Sequence, residues 1–271
     1  MTDKEPFEKE WARLQGTILR CKKCKRLSSY VREVGIRRPP RYLNWSYWSK
    51  PLPGFGDPEA RVLILGLAPS AHGGNRTGRM FTGDRSGEWL FEALHRFGFA
   101  NQPYSDRRDD NLKIKGCYIT ATVRCAPPQN RPTDKEIEAC RAYLLKEFHL
   151  LRHLQVIVPL GRVAFREAQR CLRILGFKFP SLEFGHGKVY SFSLGETGSR
   201  PPSFRQVTMV VTYHPSQQNT FTGKLSRAMF HQVFETVRAE LDKGPDAFGS
   251  DSGDSIVSLP KGRSRTWPDR S

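Results

Sequence analysis

The sequence contains no run of about 18 apolar residues, the length that a helix needs to span a bilayer. It also lacks the apolar core of a secretory signal peptide, because its opening residues, MTDKEPFEKEW, are mostly polar and charged. Both absences predict a protein that avoids membranes and stays in the cytoplasm. No internal repeat is present that would indicate a solenoid or a propeller.

Acidic residues are scarce relative to basic ones. The chain has 27 Asp and Glu against 44 Lys and Arg, which gives a net charge of +17 at pH 7. Such a surplus attracts polyanions, and duplex DNA, with one charge per ~1.7 Å of helix axis, is the densest common polyanion. The charge therefore predicts a nucleic-acid-binding protein associated with the nucleoid. RNA binding and a basic surface that only maintains solubility remain as alternatives.

The cysteines number only six, but their spacing is informative. Without a secretory signal, a reducing compartment disfavours disulfides and favours metal ligation. Four of the cysteines form a CxxC pair followed by two later residues: Cys21, Cys24, Cys125 and Cys140. Four thiolates can hold zinc or an iron–sulfur cluster, and the softness of sulfur does not choose between the two. Cys117 and Cys171 lie in apolar contexts and are predicted to be core residues.

Apolar segments alternate between the strand and the helix pattern. The run RVLILGL at 61–67 is typical of a buried parallel strand, and the runs at 117–123, 155–160 and 207–213 predict three more. Helical periodicity predicts helices at 4–20, 133–149, 162–174 and 224–242, and another that begins with a cap at Ser86. The helix at 133–149 is predicted to open with a capping box formed by Thr133 and Glu136. Strands that alternate with helices predict an α/β fold: a three-layer α/β/α sandwich with a central, mainly parallel four-stranded sheet.

A single domain accounts for most of the chain. All the strand and helix patterns fall within residues 1–244, whereas 245–271 are rich in Gly, Ser, Asp, Arg and Pro and are predicted to form a disordered tail. Residues 183–193 predict a hairpin. Residues 36–58 predict a long irregular loop, rich in Pro, Arg and aromatic residues, which either packs or contacts nucleic acid. Nothing in the sequence requires an oligomer, so a monomer is expected.

Two polar loops follow the first and the last predicted strand. Ligands of doubly wound sheets bind beyond the carboxyl ends of the strands, so these loops are expected to meet there. The first loop is rich in glycine, which lets backbone approach a substrate closely, and it offers Phe81 as a flat stacking surface. Its polar side chains are His72, Asn75, Arg76, Arg79 and Asp84. The second loop opens with His214. The glycines match neither the Rossmann fingerprint nor the P-loop, which disfavours a nucleotide-binding enzyme.

The first loop, GLAPSAHGGNRTGRMFTGDRSG, closely resembles a motif of the family 5 (type B) uracil-DNA glycosylases. The second, HPSQQNTFTGKLS, is similar to the loop that these enzymes insert into DNA, and the four cysteines resemble the cluster site that families 4 and 5 share. The likeness runs from about residue 21 to about residue 240. It implies a monofunctional DNA repair glycosylase that flips uracil, and other deaminated bases such as hypoxanthine, out of DNA and hydrolyses the N-glycosidic bond.

The resemblance also gives each candidate residue an expected role. Asn75 would position the attacking water, and His214 would stabilise the leaving base. The residues expected to bind the base are Gly66, Ala68, His72 and Phe81. The residues expected to contact DNA are Arg76, Gln217, Gln218, Asn219 and Lys224, with Phe221 filling the vacated stack. The residues expected to hold a 4Fe–4S cluster, with zinc as the less favoured metal, are Cys21, Cys24, Cys125 and Cys140.

Two residues depart from the family 4 pattern. Family 4 carries an acidic residue where this chain has Leu67, and an Asn where this chain has Ala121. The amide that would grip the edge of uracil is therefore missing, which favours the broader base range of family 5 over a uracil-specific family 4 enzyme. A third reading is an iron–sulfur protein that binds nucleic acid without catalysis. The loop around Phe81, which a mere binder does not need, argues against it.

Overall fold

The computed structural model describes residues 4–195 and 202–243. The predicted tail at 245–271 lies outside the described residues, as does residue 244, so the predicted domain boundary is untested.

A six-stranded sheet forms the centre of the fold. Its strands are β1 (Phe55–Gly56), β2 (Val62–Gly66), β3 (Cys117–Ala121), β4 (Val156–Pro159), β5 (Val189–Ser193) and β6 (Gln206–Val210), in the order β1-β3-β2-β4-β6-β5. The inner strands β3, β2, β4 and β6 are mutually parallel, which confirms the predicted four-stranded parallel sheet as the core of a larger one.

Antiparallel strands occupy both edges of the sheet, and here the predicted strand count is wrong. The strand β5, from the segment 183–193 predicted as a hairpin, pairs along its whole length with β6 instead of folding on itself. The strand β1 has two residues and pairs with β3. A strand this short carries no alternation that a sequence pattern could reveal.

Eight α-helices accompany the strands within the described residues, together with two short 3-10 helices, Pro40–Tyr42 and Pro128–Asn130. The α-helices are α1 (Lys4–Leu19), α2 (Lys25–Ile36), α3 (Gly74–Thr77), α4 (Arg85–Arg96), α5 (Asp134–Leu150), α6 (Arg162–Ile174), α7 (Gln217–Phe221) and α8 (Arg227–Asp242). The predicted capping box of α5 is confirmed, because Thr133 and Glu136 each accept from the other's backbone N–H. The cap of α4 is Asp84, which accepts from the backbone of Gly87, and not Ser86 as predicted.

The helices cover both faces of the sheet, as the predicted three-layer sandwich requires. Alternate residues of a strand point to opposite faces, so Leu63 and Leu65 pack with α1, α5 and α6 on one side. Val62 and Ile64 pack with α4 and α8 on the other side. Among the described helices, none is both long and apolar enough to cross a membrane.

Candidate active site

The loops after β2, β4 and β6 gather at the carboxyl edge of the sheet, as predicted from the fold class. Leu160, just after β4, bridges Thr212, which follows β6. Gly161 lies so close to the next loop that a Cβ placed on it would stand 3.2 Å from the Cβ of His214. The parallel register therefore brings His214 to the loop that follows β2, although the two are far apart in sequence.

Phe81 lies in a strained position at this edge. Its φ of 56° is in the left-handed region, which costs an aromatic residue about 1–2 kcal/mol. Two glycines make room for it: a Cβ on Gly66 would stand 2.7 Å from the ring, and a Cβ on Gly87 would stand 1.7 Å from the Phe81 carbonyl oxygen. The ring of His214 stacks beside that of Phe81, with centroids 6.3 Å apart. Strain held in place by packing is characteristic of functional sites.

Asp84 joins this pair from the end of the same loop. Its Oδ2 accepts a hydrogen bond from the Ser70 hydroxyl at 2.5 Å, and its Oδ1 accepts from the Gly87 N–H at 2.9 Å. A Cβ on Gly73 would stand 2.4 Å from the Asp84 Oδ2, so only glycine fits beside the carboxylate. The carboxylate is thus fixed by two donors at the N-terminus of α4, where the helix dipole favours a negative charge.

A cavity of about 410 Å³ opens beside Asp84, and neither Phe81 nor His214 is among the residues that line it. The residues that line it include Arg41, Tyr42, Ser70, His72, Gly73, Asp84, Arg85, Asn130 and Gln217. Burial lowers the pKa of the His214 imidazole below its usual range, and the nearby Asp84 carboxylate opposes that shift only in part. His214 is therefore a neutral imidazole at pH 7, with an N–H to donate and no positive charge.

The structure places Asn75 away from this cavity. Its side chain is 0% exposed, and its Nδ2 donates to the Val31 carbonyl of α2 at 3.2 Å. Its Oδ1 is buried without a hydrogen-bond partner. The short helix α3 turns Asn75 toward α2, so the side chain is absent from the cavity lining that holds Asp84. The role in positioning water that the resemblance implies for Asn75 stays a prediction.

His72 lines the cavity, as expected of a base-binding residue, and is held from behind. Its Nδ1 shares a hydrogen bond with the Tyr47 hydroxyl at 2.9 Å. Burial, followed by the positive charges of Arg41 and Arg76, lowers the pKa of His72. The segment 36–58, predicted as an irregular loop, thus forms part of the cavity wall through Tyr42 and supports His72 through Tyr47.

Arg76, predicted to hold a DNA phosphate, is committed to the protein interior. It is 5% exposed, its Nε donates to the His72 carbonyl at 2.6 Å, and its Nη2 donates to the Gly83 carbonyl at 3.2 Å. The guanidinium also lies 4.3 Å from the ring centroid of Tyr42 and 3.9 Å from that of Trp45. A phosphate ligand needs an exposed donor, so the structure corrects this expectation.

The segment after His214 forms a protruding turn. Ser216 caps α7, and the Asn219 amide donates to the His214 carbonyl at 2.8 Å, which ties the turn to the site. Gln217 and Gln218 are exposed on α7. Lys224, which follows this helix, is also exposed, and its ammonium lies 4.9 Å from the Tyr213 ring centroid. Phe221 is 68% exposed, which is unusual for a ring of that size. Gly66 is the last residue of β2, and Ala68, two residues later, packs against the apolar cluster of Cys125 and Cys140.

The four cysteines of the predicted cluster come together beside the sheet edge. Cys24 precedes α2, Cys125 follows β3 and Cys140 lies in α5, and the three pack in one apolar cluster with Leu27 and Val31 of α2. Burial raises the pKa of the Cys125 thiol, and so do the charges of Cys140, Cys21 and Cys24. Burial and the charge of Cys140 raise the pKa of Cys24 to about 11. Such coupling requires all four thiols to be neighbours.

Four neighbouring thiols suit either a 4Fe–4S cluster or zinc, so the predicted cofactor stays a prediction. In residues 4–195 and 202–243, no group of three or more His, Cys, Asp and Glu side chains is spaced to hold a single metal ion. The two remaining cysteines, Cys117 and Cys171, are buried in the cores on either side of the sheet, which confirms their prediction as core residues.

An ion pair braces the cysteine cluster from outside. Arg26 of α2 donates to both carboxylate oxygens of Glu136 in α5, at 2.9 and 2.6 Å. Sequence reasoning missed this contact and α2 itself, because the helix has only three buried residues among its charges.

Sequence reasoning also missed the importance of Asp84, which the sequence presents only as one polar residue in a polar loop. The signal available was Asp84 at a helix start, the usual place for a capping carboxylate.

Comparison with known proteins places this geometry among base-removing enzymes. The model of the uracil DNA glycosylase superfamily matches residues 53–238. The chain is 43% identical to the type-5 uracil-DNA glycosylase of Mycobacterium tuberculosis over 83% of this chain and 80% of that protein. It is 43% identical to the type-5 enzyme of Thermus thermophilus over 80% of this chain and 92% of that protein. A type-4 uracil-DNA glycosylase from Pyrobaculum aerophilum is 32% identical over 63% of this chain and 74% of its own length.

Proposed function

The chain belongs to the type-5 branch of the uracil-DNA glycosylase superfamily, and from this premise we propose that it hydrolyses the N-glycosidic bond of uracil in DNA. The observation that carries the proposal is the meeting of Phe81, neutral His214 and the Asp84 carboxylate at one sheet edge, beside a cavity of about 410 Å³. A flat ring, a neutral donor and a base are what this hydrolysis needs.

The target nucleotide must leave the duplex before it can react. The flipped base stacks near Phe81, while backbone groups of Gly66 and Ala68 line its edge. Phe221, 68% exposed on the turn behind His214, enters the vacated stack. Gln217 and Gln218, exposed on the same turn, face the neighbouring nucleotides.

Two groups divide the chemistry. As the glycosidic bond breaks, the electron pair stays with the base, and the neutral imidazole of His214 donates a hydrogen bond to the developing anion. Water attacks the sugar carbon, and the Asp84 carboxylate, held by Ser70 and the Gly87 N–H, takes the water's proton. The role of base falls to Asp84 and not to Asn75, because an amide can orient water but cannot accept its proton, and Asn75 is buried against α2.

The range of bases extends beyond uracil to other deaminated bases such as hypoxanthine. Ala121, at the end of β3 and paired with Gly66, is 1% exposed and carries no group that could hydrogen-bond to a base edge. Shape and stacking then select the base, and both tolerate a purine. A uracil-specific enzyme of the family 4 type is the alternative, and it would leave hypoxanthine intact.

A 4Fe–4S cluster on Cys21, Cys24, Cys125 and Cys140 completes the protein, with zinc as the alternative. When bound, the cluster would cross-link the turn between α1 and α2 with the loop after β3 and with α5, and it would add its binding free energy to folding. It stands outside the cavity lining, so no step of the hydrolysis depends on electron transfer. Visible colour and iron content of protein purified without oxygen distinguish the cluster from zinc.

The test is base release from an end-labelled DNA duplex that carries one uracil, followed by hot alkali. Strand cleavage that requires alkali is expected, because a monofunctional glycosylase leaves an intact abasic strand. A parallel duplex with hypoxanthine separates the broad from the uracil-specific reading. Tight, salt-sensitive binding with no release of any deaminated base would favour a nucleic-acid-binding protein without catalysis.

A further inference from the structure

Two arginines of the loop after β2 turn inward, and each fixes a neighbouring segment that presents further arginines outward. Arg76 is buried against the aromatic segment, where it contacts the rings of Tyr42 and Trp45. The backbone of that segment is hydrogen-bonded to the same loop, since the Trp48 N–H donates to the Arg76 carbonyl at 3.1 Å. The aromatic segment is therefore held rigidly against the rim of the cavity.

Arg79 does the same for the segment 105–110. It is 8% exposed, its Nη2 lies 2.6 Å from the Asp110 carboxylate, and it also donates to the Ser105 hydroxyl and to the Arg107 carbonyl at 2.6 Å each. This segment abuts the cavity, because the Gly83 N–H donates to the Ser105 carbonyl at 2.8 Å. The buried guanidinium thus organises a turn whose own arginines are exposed.

The result is a stack in which cations and rings alternate: Arg41, Tyr42, Arg76, Trp45 and Arg107. The guanidinium of Arg41 lies 4.8 Å from the Tyr42 centroid, and that of Arg107 lies 5.2 Å from the Trp45 centroid. The central Arg76 is buried, whereas Arg41 and Arg107 at the two ends are exposed. Arg107 has only a weak surface ion pair, 3.4 Å from the exposed Asp109.

We propose that this stack binds the DNA backbone, with Arg41 and Arg107 each contacting a phosphate of the strand that enters the cavity and Arg76 acting as the residue that positions both. The inference rests on the proposed function. Arg41 and Tyr42 line the same cavity as His72 and Asp84, so a phosphate on Arg41 belongs to a nucleotide next to the flipped one. Each outer guanidinium rests against one ring, Arg41 on Tyr42 and Arg107 on Trp45, and this contact reduces the entropy lost on binding.

The test measures the affinity of a labelled duplex that contains a tetrahydrofuran abasic analogue across a series of KCl concentrations. Each phosphate contact contributes about 0.9 to the slope of log K against log salt. Arg41→Ala and Arg107→Ala are each expected to make the slope shallower by about that amount, and the double variant is expected to make it shallower by about twice that amount. Arg96→Ala is the matched control, because exposed Arg96 ends α4, about 16 Å along the axis from the cavity.

The positioning role of Arg76 has its own readout. Arg76→Met removes one charge, yet it is expected to make the slope shallower by more than the ~0.9 of a single contact. The reason is that Arg76 holds the rings of Tyr42 and Trp45, against which the two outer arginines rest. A loss no larger than one contact would overturn that role, and circular dichroism confirms that the variant is folded. Slopes for Arg41→Ala and Arg107→Ala equal to that of Arg96→Ala would overturn the assignment.

Failure of the proposed function is a separate outcome. The wild-type preparation is assayed in parallel for uracil release from the same duplex carrying uracil. Wild-type protein that binds with the expected slopes but releases no uracil contradicts the enzyme, while the phosphate contacts stand. Wild-type protein that releases uracil, with variants that keep the full slope, contradicts only the phosphate contacts.

Discussion

The ring of His214 stacks on that of Phe81, with centroids 6.3 Å apart and planes inclined by 28°. Phe81 lies in the loop after the first inner strand and His214 follows the last one, so the contact exists only because β2 and β6 end at the same sheet edge. The strained φ of Phe81 and the neutral state of His214 then give this pair a stacking surface and a hydrogen-bond donor at one point.

Replacing the carboxylate of Asp84 tests its role as the base. Asp84→Asn keeps the shape and the helix cap but cannot take a proton from water, so single-turnover release of uracil is expected to slow by about 10²–10⁴-fold. Ser70→Ala is the companion variant. It removes the donor to Asp84 and the acceptor of the Gly73 N–H but leaves the carboxylate in place, so it is expected to cost less. An unchanged rate for Asp84→Asn would rule out proton transfer to this residue.

His214 is expected to act on the leaving base. His214→Ala removes a preorganised donor and is expected to slow single-turnover release of uracil by about 10²–10³-fold. Binding of a duplex with an abasic analogue should change little, because that ligand has no leaving base. Equal losses in binding and in rate would indicate a structural role instead.

Asn75→Ala tests whether the Asn75 side chain only stabilises the fold or also takes part in catalysis. The variant loses the hydrogen bond from Nδ2 to the Val31 carbonyl, which is expected to cost about 1 kcal/mol of unfolding free energy, measured in urea. If Asn75 positions water, as the resemblance implies, the single-turnover rate falls sharply as well. A folded variant with an unchanged rate would show that the Asn75 side chain serves only in the contact with α2.

Cysteine variants test the cluster. Cys125→Ser is expected to lose visible colour and iron and to lower the unfolding temperature, because metal binding contributes directly to folding. Cys171→Ser is the matched control: Cys171 is also buried, but on α6 and away from the other four cysteines, and its loss should leave iron content unchanged. Colour retained in Cys125→Ser would remove Cys125 from the ligand set.

Mild acid is expected to destabilise the fold, at pH values higher than those at which carboxylates titrate. Burial lowers the pKa of His72, His186 and His214 below the usual 6.5, so between the lowered values and 6.5 the unfolded chain binds more protons than the folded one. Stability is therefore fully present above about pH 6.5 and falls as the pH drops through this window. Urea unfolding at pH 7.5 and 5.5, with iron content checked at both, measures the loss.

A variant identifies the source of that loss. His186→Gln is expected to reduce the difference in unfolding free energy between the two pH values, whereas His95→Gln, which alters an exposed residue of α4, is the control. Equal differences in the wild type and in His186→Gln would contradict the contribution of His186.

Local patterns in the sequence predicted what local forces determine. The apolar run of β2 and the capping box at Thr133 each depend on residues within one element, and both are found as predicted. The predicted cap of α4 was wrong. Asp84 and Ser86 are both good N-cap residues and stand two residues apart, and it is Asp84 that has the extended backbone of an N-cap, with φ −140° and ψ 164°.

The site residues show where sequence reasoning ends. That His214 reaches the first loop follows from parallel strands, whose ends share an edge. The inward turn of Asn75 and Arg76 does not follow, because it depends on how the four-residue helix α3 meets α2 and the rings of Tyr42 and Trp45. Contacts between distant segments of this kind leave no periodic trace in the sequence.

The strand order β1-β3-β2-β4-β6-β5 has a consequence for synthesis on the ribosome. Phe81 and Asp84 emerge early, but their partner His214 follows β6, which can dock against β4 only after more than two hundred residues have been translated. Non-local pairing of this kind is slow, and domains of this size form intermediates. A nascent chain therefore holds half of its site, without the imidazole, until the last inner strand has been made.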